Sequence, residues 1–236
     1  MHNSPPQSQI DYLKEACAKG DYNEAEKLAL LMTNQFPEYQ FSWKILGLVF
    51  EHKNRISEAL KAYKKAVLLN PKDFESQFNL GALLQLLGKH REAKEYYLKS
   101  ISLKPDYSKA HFNLGLVMYK LGMYKEAETS YLEAINFKKD YFEAYNNMSV
   151  LMQKLGRHKE AKVTAQQAIK LNSEYPEAYN NLGTSLQSLD KIEEAEESFQ
   201  KAILLNPKIP EFHFNLGNTY IKLKKYNLAL LVFKKS

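Results

Sequence analysis

The sequence holds one cysteine (Cys17), one tryptophan, nine glycines and eight prolines among 236 residues. A single cysteine excludes an intrachain disulfide. No Cys/His constellation surrounds Cys17 in the sequence, so a small buried helical residue is expected there rather than a reactive thiol. Few helix breakers beside abundant Leu and Ala favour helices. No apolar run approaches the roughly 18 residues that a membrane span requires. The opening MHNSPPQSQI has no basic segment followed by an apolar one, and a cytoplasmic location is expected. Runs of five or six like charges are also missing: the formal charge is +6, and pairs such as Lys64-Lys65, Lys138-Lys139 and Lys224-Lys225 are dispersed. A nucleic-acid or membrane footprint concentrates its charge in one stripe, so neither partner is expected. No Gly-rich phosphate loop or nucleophile elbow occurs.

What the sequence does have is a period. Leu46-Gly47, Leu80-Gly81, Leu114-Gly115, Met148-Ser149, Leu182-Gly183 and Leu216-Gly217 recur every 34 residues. Twelve residues after each small residue stands Ala59, Ala93, Ala127, Ala161, Ala195 or Ala229; four further on come Tyr63, Tyr97, Tyr131, Ala165, Phe199 and Phe233. Next are Ala66, Ser100, Ala134, Ala168, Ala202 and Ser236, and prolines close units at Pro37, Pro71, Pro105 and Pro207. Each unit reads as two helices around a break at Gly20, Asn54, Gly88, Gly122, Gly156, Asp190 or Lys224, residue types that mostly tolerate a left-handed turn. Gly in the first helix and Ala in the second let the backbones approach, and the aromatic fills the gap beside them. One such hairpin cannot bury a core, so neighbours must stack.

This pattern resembles the tetratricopeptide repeat (TPR) over essentially the whole chain. It implies an all-α, right-handed superhelical solenoid with repeats at 6–39, 40–73, 74–107, 108–141, 142–175, 176–209 and 210–236, the last cut after 27 of 34 positions, behind a disordered 1–5. The fifth unit departs most, with Ser149 for Gly, Ala165 for the aromatic, and Lys139 and Ser173 where Pro closes a unit; it is expected to pack least tightly. Leu13 in the Gly position marks the first unit as a degenerate cap.

By that resemblance, positions 2, 5, 6, 9, 12 and 13 of each unit line a concave groove. Position 6 reads Asn79, Asn113, Asn147, Asn181 and Asn215. A carboxamide both donates and accepts, so such a ladder pairs with the backbone of an extended peptide without reading its side chains; alternatively, the asparagines only tie adjacent repeats together. The ladder looks like that of the TPR superhelix in O-linked N-acetylglucosamine transferases, which grips substrate backbones. Phe78, Phe112, Asn146, Asn180 and Phe214 fill position 5, with Leu116, Tyr119, Thr184 and Asn218 nearby. Lys109 alternates with Glu75, Glu143, Glu177 and Glu211, while Lys120, Lys154 and Lys222 run along position 13. That lining suits a polar extended segment. The carboxylate clamp of chaperone-binding TPR domains is matched only by Lys44, Asn79 and Lys109; Leu48 and Asn113 replace an Asn and the Arg, and losing the Arg removes the strongest carboxylate partner.

The histidines form no metal set: His90 and His158 share one outward position, and His111 and His213 take the packing slot of Trp43 and Tyr145. The Glu-Ala pairs such as Glu58-Ala59 are solvent-side positions of second helices. No active site, cofactor or metal is expected. The chain stops at Phe233-Lys234-Lys235-Ser236 inside an apolar helix, which points to a fragment of a longer protein or to a face buried in an oligomer. The expected function is a protein-interaction scaffold binding extended peptide. The alternatives are the substrate-recruiting arm of a larger, glycosyltransferase-like enzyme and a self-assembling structural solenoid.

Overall fold

The computed structural model describes residues 4–234, so the repeat position of Ser236 and residues 1–3 of the expected disordered terminus lie outside the described residues. Within them the fold is all-α, with fourteen helices and no strand. Contacts divide the chain into two compact units, Met1–Leu121 and Gly122–Ser236. The first holds α1 (Gln7–Ala18), α2 (Tyr22–Gln35), α3 (Gln40–His52), α4 (Ile56–Leu69), α5 (Phe74–Leu86), α6 (His90–Leu103) and α7 (Ser108–Lys120). The second holds α8 (Tyr124–Phe137), α9 (Phe142–Lys154), α10 (His158–Leu171), α11 (Pro176–Ser188), α12 (Ile192–Leu205), α13 (Pro210–Lys222) and α14 (Tyr226–Phe233). In each unit, consecutive helices pack as antiparallel hairpins and each hairpin stacks on the next.

All seven break residues have positive φ, between 57° at Asn54 and 76° at Gly122. Six of the first helices close with a Schellman-type bond at the break: Arg55 N–H, for example, donates to the Phe50 carbonyl at 2.7 Å and Lys89 N–H to that of Leu84 at 2.9 Å. Asn54 and Asp190 take the left-handed turn as their type allows, whereas Lys224, at 59°, takes it against its preference.

The core follows from the periodic pair of small residue and aromatic. Tyr63, Tyr97 and Phe199 are at most 1% exposed, and burying such a ring contributes roughly 1.5–3 kcal/mol. A Cβ added at Gly47 would overlap the Tyr63 ring; one at Gly183 would lie 2.7 Å from Phe199 and one at Gly81 3.0 Å from Tyr97. The Gly is therefore needed because its aromatic lies on it. In the fifth repeat, both members change together. Ser149 and Ala165 are fully buried, Ser149 Oγ donates to the Ala161 carbonyl at 2.9 Å, and α9 packs on α10 as extensively as α3 on α4. The expected loosening of this repeat is thus not seen in the approach of its helices, because a smaller partner on one helix matches a larger one on the other. Positions 8 and 24 of the first repeat hold Leu13 and Ala29, again large with small and both fully buried.

A second periodic device fixes four of the first helices to the loop before them. Trp43, Gln77, His111 and His213 each place a side-chain nitrogen 2.8 Å from the carbonyl oxygen six residues back, at Pro37, Pro71, Pro105 and Pro207. The histidines are buried packing residues, as expected. His90 and His158, read as outward, are instead half-buried at the first position of α6 and α10, each with a buried Nδ1. On the second helices, Arg55 reaches from the start of α4 to Glu58 and to Glu26 of α2. Arg157 repeats this with Glu160 and Glu128 of α8, the latter at 2.8 Å. Cys17 is half-buried rather than buried, and desolvation pushes its thiol up.

Candidate functional site

Three cavities lie on the first helices of the first unit. One of about 300 Å3 is lined by Phe41, Lys44, Leu48, Glu75, Asn79 and Tyr107. The next, about 520 Å3, is lined by Leu48, Glu51, Ile56, Tyr63, Phe78, Asn79 and Leu86 among others. The last, about 480 Å3, includes Ala82, Leu86, His90, Asn113, Leu116 and Lys120. Leu48 and Asn79 belong to the first two cavities, Ala82 and Leu86 to the last two, so they run as one row across α3, α5 and α7.

The side chains at this row are set by local contacts. Phe78 packs edge-on to Tyr107 at 5.1 Å between centroids and tilted on Tyr97 at 5.6 Å. Lys44, which the sequence offered as a clamp residue, is instead paired with Glu75 at 2.7 Å and Asp73 at 3.2 Å, so it presents no uncompensated charge to a carboxylate. Asp73 caps α5 through Ser76, with Oδ2 2.6 Å from the Ser76 hydroxyl, and accepts from Gln40 of α3 at 2.8 Å. Burial alone would raise the Asp73 carboxyl, but the bonds from Ser76, Lys44 and Gln40 hold it below the usual range. Lys44 is likewise held above its ordinary value: desolvation opposes this, and Glu75 and Asp73 outweigh it.

The five position-6 asparagines do not share one environment. Asn79, half-buried between two cavities, makes no hydrogen bond among the described residues. Asn113 and Asn147 each donate to the carbonyl four residues back, that of Lys109 at 2.9 Å and of Glu143 at 2.8 Å. Asn181 donates to Asn146 Oδ1 at 2.8 Å and Asn215 to Asn180 Oδ1 at 2.9 Å, each across a repeat interface. Asn146 and Asn180, read from the sequence as groove residues, are only 5% and 4% exposed; their carboxamides stitch repeats together because a buried polar atom must find a partner. What decides the difference is position 5 of the preceding repeat. Where it is Asn, the next asparagine has an acceptor 35 residues back; where it is Phe78, Asn113 folds onto its own helix.

The other expected site residues divide by exposure. Lys109, Lys120 and Lys154 are exposed, as is Phe214 at 54%, which lies 6.0 Å from Phe233. Phe112, Tyr119 and Asn218 are half-buried. The first unit brings Phe78 and Asn79 to one cavity and Asn113 and Lys120 to another. Sequence reasoning missed Phe41, Ala82, Leu86 and above all Glu51. Its signal was available: position 12 reads Glu51, Gln85, Tyr119, Gln153, Gln187 and Ile221, with an acid only once. Among the described residues no cluster of His, Cys, Asp and Glu could hold a metal, and no helix is long and apolar enough to cross a membrane.

Tetratricopeptide-repeat family models match residues 75–140, 142–175, 176–209 and 198–230, and a TPR-repeat model matches 47–88. The chain belongs to the TPR family, whose fold is a scaffold for protein interaction. A sequence search of curated proteins returns no match. Among solved structures, the chain is similar to Cut9–Hcn1, an APC/C hetero-tetramer (TM-score 0.75, 19% identity), covering 94% of this chain and 44% of that one, so it spans less than half of that relative. It is also similar to a tetratricopeptide repeat protein from Parabacteroides merdae (TM-score 0.74, 19% identity, covering 97% and 91%). A third is YrrB, described as a TPR protein with an unusual peptide-binding site (TM-score 0.61, 25% identity, covering 75% and 91%).

Proposed function

We propose that the chain binds an extended peptide along the row of cavities on α3, α5 and α7. The observation that carries this reading is Asn79: a carboxamide with no hydrogen-bond partner among the described residues, at the wall shared by two cavities. A polar side chain so placed offers a donor and an acceptor to a peptide backbone, while the cavities on either side receive side chains. An extended chain advances about 3.3 Å per residue and alternates its side chains, so successive cavities are met at intervals of a few residues. The likeness to YrrB, a TPR protein with a peptide-binding site, supports the same class of ligand. The groove of this reading is shorter than a five-rung ladder, since Asn181 and Asn215 are already bonded.

The test is binding of a random dodecamer peptide library to the immobilised chain, repeated with Asn79→Ala. Peptides that bind the wild type and lose about tenfold in affinity on Asn79→Ala, with circular dichroism unchanged, support the reading; a selected set indifferent to Asn79 overturns it. A second reading, association between copies through α14, is favoured by the exposure of Leu230 (60%) and Leu231 (55%). Sedimentation equilibrium at rising concentration decides it: a mass that stays at 27.3 kDa removes that reading.

A further inference from the structure

We propose that the 520 Å3 cavity between α3 and α5 takes a basic side chain, lysine or arginine, of the bound peptide, with Glu51 as its counter-ion and the Phe78 ring as one wall. This rests on the peptide-groove reading above. Glu51 is half-buried and has no ion-pair partner among the described residues. The cations that follow it in the chain are engaged elsewhere: Lys53 with Glu26 at 2.5 Å, and Arg55 with Glu26 and Glu58. His52 is stacked on Tyr22 at 4.1 Å, its Nε2 3.0 Å from the Tyr22 hydroxyl. A carboxylate in a cavity with its neighbours so committed favours a cation from outside.

The charge is also surplus to the architecture. Glu51 accepts the Tyr63 hydroxyl at 3.0 Å, and one repeat later Gln85 accepts the Tyr97 hydroxyl at 2.7 Å. The neutral amide performs the same bond, so the bond does not account for the acid. The remaining lining matches a lysine or arginine: Leu48, Ile56 and Leu86 can cover an aliphatic stem, and Phe78 offers an aromatic face for a cation. An acidic side chain would meet Glu51 as a like charge, and a purely apolar one would leave the carboxylate desolvated and unpaired. The field of Glu51 also acts on Tyr63 and Tyr97, whose hydroxyls are raised by burial first and by this charge second.

The experiment uses the full chain and the peptides selected by it from the random library. A basic residue should be enriched at one position. Acetylating that lysine, or replacing arginine by citrulline, should weaken binding to the wild type about tenfold. Glu51→Gln should bind the unmodified peptide about as weakly, and modification should then have no further effect, the two losses being one interaction. Gln85 shows that an amide satisfies the equivalent tyrosine, so Glu51→Gln should stay folded; if it does not, the modified peptide on the wild type still decides. Peptides that depend on Asn79 but show no basic preference, or losses that add, overturn the basic pocket and leave the groove standing. Peptides indifferent to Asn79, or no selected peptide at all, overturn the groove reading and with it the pocket.

Discussion

Both units are built from one 34-residue pattern, yet their asparagines have different partners. In the second unit, Asn181 and Asn215 bond to Asn146 and Asn180 of the neighbouring repeat; in the first, Asn79 makes no hydrogen bond among the described residues and lies open to two cavities, while Asn113 and Asn147, one in each unit, bond within their own helices. The same contrast holds at position 12. Gln153 and Gln187 of the second unit reach across to Asn181, Ser185 and Thr219, whereas Glu51 of the first accepts from Tyr63 of its own hairpin and has no ion-pair partner among the described residues. Identical backbone positions thus serve cohesion in one unit and present unused polar groups in the other. Which role a residue takes depends on whether a neighbour one repeat away offers a complementary atom.

The hairpin cores provide the sharpest test of this contrast. Ala165→Tyr places a ring against Ser149 and should destabilise the protein by about 3 kcal/mol in urea unfolding. Adding Ser149→Gly should recover most of that, making the α9–α10 hairpin resemble α3–α4. In the first unit, Gly47→Ser should cost a similar amount because the added Cβ meets Tyr63. A double variant no better than Ala165→Tyr alone would break the idea that the two positions are matched by volume.

Next in size is Asp73, which joins α3 to α5 beside the cavities. Asp73→Ala removes a cap and one of the two carboxylates paired with Lys44 and should cost about 2 kcal/mol. Because the folded carboxyl is held below its ordinary value, its contribution is present above the unfolded carboxylate range. It is lost as pH falls through the depressed folded value. Stability measured from about pH 5 downward should therefore decline less steeply in Asp73→Asn than in the wild type; equal slopes would remove Asp73 from the account.

The smallest effects separate the asparagines themselves. Asn181→Ala should lower stability by about 1 kcal/mol, since it leaves Asn146 Oδ1 buried without its donor. Asn79→Ala should leave unfolding within about 0.5 kcal/mol of the wild type and act only on peptide binding. A stability loss at Asn79 as large as that at Asn181 would erase the distinction between the units.

Much of the chain was legible from its sequence. The 34-residue period predicts paired helices, the break residues are the left-handed turns, and the slot of His111 and His213 is a buried packing slot. The site was less legible. Position 6 was read as one uniform row because the residue type is uniform, but a carboxamide is defined by its partner, and that partner stands 35 residues back on another helix. Asn146 and Asn180 were misplaced in the groove for the same reason. Glu51 stands out in the sequence as the one acid at position 12, but that it lacks an ion-pair partner shows only where Lys53 and Arg55 face Glu26. Burial at Cys17 and the fit of Ser149 with Ala165 are properties of the helices on either side, which no single residue type carries.

The sequence by itself therefore determined the family, the helices and their turns, because these follow from short-range periodicity, backbone preference and the need of each amphipathic hairpin to find a neighbour. Only the tertiary structure decided which polar side chains remain available. Hydrogen bonds and ion pairs form over about 3 Å, and the atoms that meet at that distance here are drawn from repeats roughly 30 residues apart.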